Sequence, residues 1–210
     1  MNAITELKQQ LMPYQGILFD LDNTIFLQTK FDHSAFCEIS HYMAAKYQLD
    51  QQQLFSFLAR HRSAPPPYKD DLFGCCCREF HLATEEAMLM VQLFRQHQPE
   101  KLQLHLQYQQ LLTELLQQGK TLLLVTNGIN CIQQTKINKL QLNRYFKEMV
   151  ICTTAGEMPL KPNPAAFIYL KERYPCSNWV MVGDLAETDG LFAKNSGIDF
   201  VQHQYGGGDE

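Results

Sequence analysis

Three absences narrow what this chain of 210 residues can do. No stretch approaches the about 20 consecutive apolar residues that a helix needs to cross a bilayer. The first fifteen residues, with Glu6, Lys8, Gln9 and Gln10 among them, lack the apolar middle of a secretory leader. A cytoplasmic protein is therefore expected. Nor is there a cluster of Lys and Arg, and the net charge is −4. Sequence-independent binding to nucleic acid or to anionic membranes draws on gathered positive charge, so both are excluded as partners and a small molecule is expected. Oligomeric state is not written in the sequence. The third absence is of paired cysteines at metal or disulfide spacing. The seven cysteines are odd in number and Cys75, Cys76 and Cys77 are adjacent, which suits neither a disulfide framework nor a zinc knuckle. Reduced, structural thiols are expected, with no His or basic group placed to stabilise a thiolate. None of the seven histidines stands at ligand spacing, and no internal repeat is present.

What the chain does contain is alternation. Five short runs rich in strand-favouring residues, 16–19, 121–125, 149–152, 179–182 and 199–202, mostly lack the polar alternation of a half-exposed strand, as parallel strands covered on both faces do. Helical patterns lie between them. Tyr108, Leu111, Leu112, Leu115 and Leu116 repeat at helical spacing and stop before Gly119, while Asn163 and Pro164 read as the cap and first turn of a helix carrying Phe167 and Leu170. Strands alternating with helices imply a parallel sheet with right-handed crossovers.

The gap between the first and second strands is nearly a hundred residues, far longer than a crossover needs, so a helical unit is expected to be inserted there. Phe36, Ile39, Met43 and Tyr47 form one helical stripe, and Met88, Val91 and Phe94 form another behind a Thr84 cap. The segment "SAPPPYKDD", 63–71, is a loop. The expected organisation is a core from 1–27 and 100–204, a small helical cap from 28–99, and a flexible tail from 205–210.

The strongest polar signals fall at strand ends. "GILFDLDNT" leads from the first strand into Asp20 and Asp22, "TNG" (Thr126 to Gly128) closes the second, and Gly183 and Asp184 close the fourth, with Asp189 five residues on. In an open parallel sheet these ends share one edge, where ligands bind. A pair of carboxylates about 4 Å apart repels by about 4 kcal/mol at an effective dielectric near 20, so gathered acids call for a cation. Oxygen ligands favour magnesium over zinc. Lys161, before the "PNP" turn, and the Thr126 hydroxyl suit the oxygens of a phosphate. Each signal taken singly also fits an ordinary turn or a solvated lysine. Asn23 is given no chemical role.

"DLDNT", "LLLVTNG", "KPNP" and "GDLAETD", in this order and with an insertion after the first, resemble the haloacid dehalogenase-like superfamily of phosphatases, over almost the whole chain. Within it, "TNGINCIQQTKINKLQLNRYF" and "GDLAETD" most resemble the branch of pyrimidine 5'-nucleotidases and N-acetylneuraminate 9-phosphate phosphatases. The resemblance implies an α/β fold with a Rossmann-like parallel five-stranded core sheet and an inserted helical cap. It further implies a phosphate monoester substrate, a nucleotide or sugar phosphate, with Asp20 as nucleophile and Asp22 as general acid and base. Mg2+ would be held by Asp20, the main-chain carbonyl of Asp22 and Asp184. Thr126, Asn127 and Lys161 would bind phosphate, and Asp189 would support the metal waters or orient Lys161. The cap would exclude water, with Tyr68, Lys69, Phe73 and Arg78 as candidate substrate contacts.

Other outcomes share these residues. A dehalogenase of the same fold needs no acid two residues after its nucleophile, so Asp22 speaks against it. A phosphomutase would return the phosphoryl group to a sugar. A phospho-aspartate receiver, a binding switch rather than an enzyme, is shorter and lacks a cap, and a retired, partner-binding member would not be expected to keep all four motifs.

Overall fold

The computed structural model describes residues 3–68, 70–154 and 156–206. In chain order the elements are α1 (Ala3–Leu11), β1 (Gly16–Phe19), α2 (Gln28–Tyr47), α3 (Gln51–His61), α4 (Leu72–Glu79), α5 (Glu86–Gln96), α6 (Leu106–Gln117), β2 (Thr121–Asn127), α7 (Asn130–Lys139), β3 (Glu148–Cys152), α8 (Ala165–Arg173), β4 (Trp179–Gly183), α9 (Leu191–Ser196) and β5 (Asp199–Gln202). They form two compact units, Met1–Gln28 with Leu102–Glu210, and Thr29–Lys101. Among the described residues no helix is long and apolar enough to cross a membrane.

The first unit is built on a parallel five-stranded sheet in the order β3-β2-β1-β4-β5, an α/β, Rossmann-like arrangement. β1 and β4 are buried along their whole length, which is why their sequences run apolar without alternation. Leu18, Leu123, Val125, Phe167, Leu170, Met181 and Phe192 pack into one core cluster, where burying each such side chain contributes about 1.5–3 kcal/mol. β2 runs two residues beyond the expected 125 and includes Thr126 and Asn127. α6 buries Tyr108, Leu111, Leu112 and Leu115 and is followed by Gly119 at φ 74°. At the start of α8 the Asn163 side chain accepts from the Ala165 N–H at 3.0 Å, the cap that the sequence suggested.

Two residues of the expected tail are fastened. Tyr205 stacks on Tyr108 with centroids 5.3 Å apart, and the Gly206 N–H donates to the Tyr108 hydroxyl at 3.0 Å. Residues 207–210 lie outside the described residues.

In the second unit α2 to α5 close around Phe36, Ile39, Met43, Leu54, Leu58, Cys76, Cys77 and Met90. Asp50 and Asp71 cap α3 and α4 by accepting from the Gln53 and Gly74 N–H groups. Three readings are corrected here. Met88 is 71% exposed, whereas Met90 is buried in the cluster and, of the three residues expected, Phe94 packs against it, so the inward face of α5 runs through Met90 and Phe94 rather than Met88. Thr84 gives α5 no side-chain cap; Glu85 stands at that position without a side-chain bond, and α5 begins at Glu86. The cysteines of α4 are buried and free, but Cys75 does have a basic neighbour, since Arg78 Nη2 donates to its Sγ at 3.0 Å.

Candidate active site

Along the sheet the chain steps outward from β1 through β2 to β3, then returns to the other side of β1 for β4 and β5. The strand order therefore reverses between β1 and β4, and a crevice opens at their carboxyl ends. Asp20 follows β1 and Asp184 follows β4, so the topology sets these acids on either side of the crevice. The Asp20 N–H donates to the Val182 carbonyl at 2.9 Å, carrying the ladder one residue past the strand. The chain then turns. Asn23 takes the left-handed conformation at φ 59°, which asparagine tolerates better than most residues. Its N–H donates to the Phe26 carbonyl at 2.7 Å, and its side-chain oxygen accepts from the Gln28 N–H at 3.3 Å. Asn23 thus shapes the loop that presents Asp22 and ties it to the first turn of α2.

Lys161 is the hub of the crevice. Its Nζ lies 2.6 Å from Asp20 Oδ1, 2.6 Å from Asp189 Oδ1 and 2.9 Å from the Val125 carbonyl. Three acceptors match the three hydrogens of an ammonium, and Lys161, Asp20 and Asp189 are all buried. The Lys161 backbone is gripped as well: its N–H donates to Asn127 Oδ1 at 2.8 Å and its carbonyl accepts from Asn127 Nδ2 at 3.1 Å. The Asn127 side chain is therefore spent on holding the Lys161 segment against the end of β2.

The charges do not balance within this group. Burial raises the Asp20 carboxyl most and Lys161 opposes it, and with the added push of Asp189 and Asp22 the group stands at about 7. For Lys161, burial works to lower the ammonium, but Asp20 and Asp189 together outweigh it and hold the group above its ordinary value. Asp184 is raised by burial first and by Asp189 second. Asp20, Asp184 and Asp189 bring carboxylate oxygens within 4.8 Å of one another. In formal count these three carboxylates face one ammonium, an excess of two negative charges, and every donor is a hard oxygen. That donor set fits a divalent cation of the magnesium class.

Asp22 is held differently. Both of its oxygens meet Lys136 Nζ, at 2.7 and 2.8 Å, and Oδ2 also accepts from Gln133 Nε2 at 3.0 Å. The same Gln133 nitrogen donates to Thr126 Oγ1 at 2.7 Å. Gln133 and Lys136 are one turn apart on α7 and both are buried. The Asp22 carboxylate is not part of the three-acid cluster; it forms a neutral pair of its own beside it.

A family model described as haloacid dehalogenase-like hydrolase matches residues 17–202. The chain belongs to this family. Pyrimidine 5'-nucleotidase YjjG of Escherichia coli K12 is 36% identical over 78 residues, a match that covers 36% of this chain and 34% of that relative. Among solved structures, the fold is similar to the HAD hydrolase YfnB of Bacillus subtilis bound to magnesium, with TM-score 0.65 and 24% identity over 89% of this chain and 85% of that one. It is also similar to a HAD-superfamily hydrolase of subfamily IA, variant 1, from Geobacter sulfurreducens, with TM-score 0.64 and 20% identity over 90% and 86% of the two chains.

Of the residues singled out in the sequence, Asp20, Lys161, Asp184 and Asp189 come together directly, Asn127 joins them through the Lys161 backbone, and Thr126 is linked instead to Asp22 through Gln133. Gln133 and Lys136 were missed. Their one sequence signal is two polar residues at helical spacing next to Ile132 and Ile137, where a lysine is rarely expected to be buried. In the second unit Tyr68 stacks on His61 with centroids 4.2 Å apart, Phe73 lies against Phe94 at 5.9 Å, and Arg78 pairs with Asp71 at 3.3 Å. Lys69 lies outside the described residues.

Proposed function

We propose that this chain is a magnesium-dependent phosphatase that hydrolyses a small phosphate monoester, of the nucleotide or sugar phosphate class, through an aspartyl-phosphate. The carrying observation is the placement of Asp20 at the end of the central strand, 2.6 Å from the buried Lys161 ammonium, with a second carboxylate two residues on and outside the metal-class cluster. Asp20 acts as nucleophile: one of its oxygens forms a bond to phosphorus as the bond to the leaving oxygen breaks. Asp22 gives its proton to that leaving oxygen. In the second half Asp22 takes a proton from water, the water oxygen bonds to phosphorus, and the acyl-phosphate bond breaks to restore the Asp20 carboxylate. The Thr126 hydroxyl donates to a phosphoryl oxygen, and Asp189 fixes Lys161 against Asp20. Asp20 and Asp184, with the Asp22 carbonyl, would hold Mg2+, which supplies charge stabilisation to the phosphoryl oxygens. Support also comes from the partial match to a pyrimidine 5'-nucleotidase.

The test is inorganic phosphate release from a panel of aryl, nucleotide and sugar monoesters. Turnover is expected with magnesium, is lost with chelator, and is lost in Asp20→Asn. Turnover indifferent to chelator, near-normal turnover by Asp20→Asn, or transfer of phosphate to a second sugar carbon without release would overturn the reading.

A further inference from the structure

We infer that Ser34, His97 and Glu38 form a second catalytic group, a serine nucleophile with its base and an orienting acid, that takes acyl groups from small neutral carboxylic esters. All three lie in the second unit, so the inference stands apart from the phosphatase reading.

His97 follows α5, and only 5% of its side chain is exposed. One face of α2 encloses the ring. Phe31 meets it edge to face with centroids 5.4 Å apart, Ser34 Oγ lies 2.9 Å from Nε2, and Glu38 Oε2 lies 2.5 Å from Nδ1. Positions 31, 34 and 38 are three and four apart, the spacing that sets side chains beside one another on a helix. An ionised Glu38 only accepts, so Nδ1 carries the hydrogen; in the neutral ring Nε2 is then the acceptor and the Ser34 hydroxyl its donor. This order of bonds is the one that activates a serine, with the base on the hydroxyl and the acid on the far side of the base.

Burial alone would explain a histidine with two partners. It does not explain why the hydroxyl is only half-buried and lines, together with Glu38 and His97, a cavity of about 640 Å3. That cavity sets Glu38 and Glu100 against Lys101, so it holds no excess of positive charge for an anionic substrate, and a neutral ester fits it better. The Ser34 N–H is spent inside α2. The oxyanion is therefore met by side chains, for which the lining offers the Gln51 amide and the Lys101 ammonium. In the first step Ser34 Oγ bonds to the carbonyl carbon as its hydrogen passes to His97 Nε2, and the ester C–O bond breaks as the leaving oxygen takes that hydrogen. Water, deprotonated by the same nitrogen, then releases the carboxylic acid and restores Ser34. Glu38 touches neither reactant and is a positioning residue.

The experiment follows p-nitrophenol release from p-nitrophenyl acetate by the full chain in chelator. It also maps the acetyl group, and the mark left by a fluorophosphonate probe, by peptide mass spectrometry. Both should land on Ser34, and Ser34→Ala should lose the mark and the release. General acid–base assistance is worth about 10²–10⁴-fold, so His97→Gln should slow acylation by about 10²-fold or more. Glu38→Gln, which no longer fixes the tautomer, should slow it by about tenfold or more, and the ring-nitrogen resonances of His97 should lose their Nδ1–H pattern. Should His97→Gln fail to fold, Ser34→Ala and Glu38→Gln decide. A mark confined to Cys37, which lines the same cavity, or to lysines, or a wild-type rate in Ser34→Ala, overturns the site. Acylation of Ser34 that Glu38→Gln leaves at the wild-type rate overturns its activation by the His97–Glu38 pair.

Discussion

A Cβ built on Gly183 would stand 2.3 Å from Cγ of Asp189. The last residue of β4 thus has no side chain because the buried carboxylate of Asp189 fills that space. Gly183→Ala should push Asp189 away from Lys161 and leave a buried ammonium short of an acceptor. Overpacking of this kind costs about 1–3 kcal/mol, and turnover should fall further than stability does. Urea unfolding alongside phosphate release checks this; unchanged kinetics would mean that Asp189 is not needed where it stands.

The metal-free protein should lose stability as pH rises through the range in which Asp20 ionises. Burial holds its carboxyl at about 7 in the folded chain, against about 3.9 when unfolded. Between these values the folded state binds more protons, so the contribution of Asp20 to stability is highest at low pH and declines as pH climbs toward 7. The difference in unfolding free energy between wild type and Asp20→Asn, measured in chelator at pH 5, 6 and 7, should therefore move against the wild type. Magnesium should reverse the trend at pH 7. A difference that stays constant across the series would show that Asp20 is ionised throughout.

Two methionines on one helix should behave oppositely. Met90 is fully buried and Met88 is 71% exposed. Met90→Ala should cost about 2–5 kcal/mol, whereas Met88→Ala should stay within about 0.5 kcal/mol of wild type. Thermal melts of the two variants distinguish them, and comparable losses would contradict the orientation of α5.

Tyr108 makes two bonds through one hydroxyl, which accepts from the Gly206 N–H at 3.0 Å and pairs with His203 Nε2 at 2.9 Å. Burial lowers the His203 pKa. Tyr108→Phe removes both bonds with little change of shape and should cost about 1–3 kcal/mol through the groups left unpaired. Limited proteolysis near Tyr205 should accelerate in parallel; an unchanged cleavage rate would mean the hydroxyl does not hold the tail.

The sheet was legible because burial on both faces writes itself as unbroken apolar runs, and the acids were legible because strand ends are where such runs stop. The helix faces were less so. In α5, Met88 and Met90 are both apolar, and only the neighbouring helices decide which points inward. Lys136 was hidden for a related reason: its burial depends on Asp22, 114 positions away, and nothing local marks a lysine that has found a distant counter-ion. Cys75 and Arg78 stand three apart on one helix, a pairing that spacing allowed but that needed coordinates to be seen.

Asn23 sits between Asp22 and Thr24, and its carbonyl accepts from the Tyr205 N–H at 2.6 Å. The turn that aims Asp22 is thus buttoned down by a residue just past β5, at the edge of the sheet. Cutting the chain back to a point before Tyr205 would therefore leave the loop that carries Asp22 without that fastening.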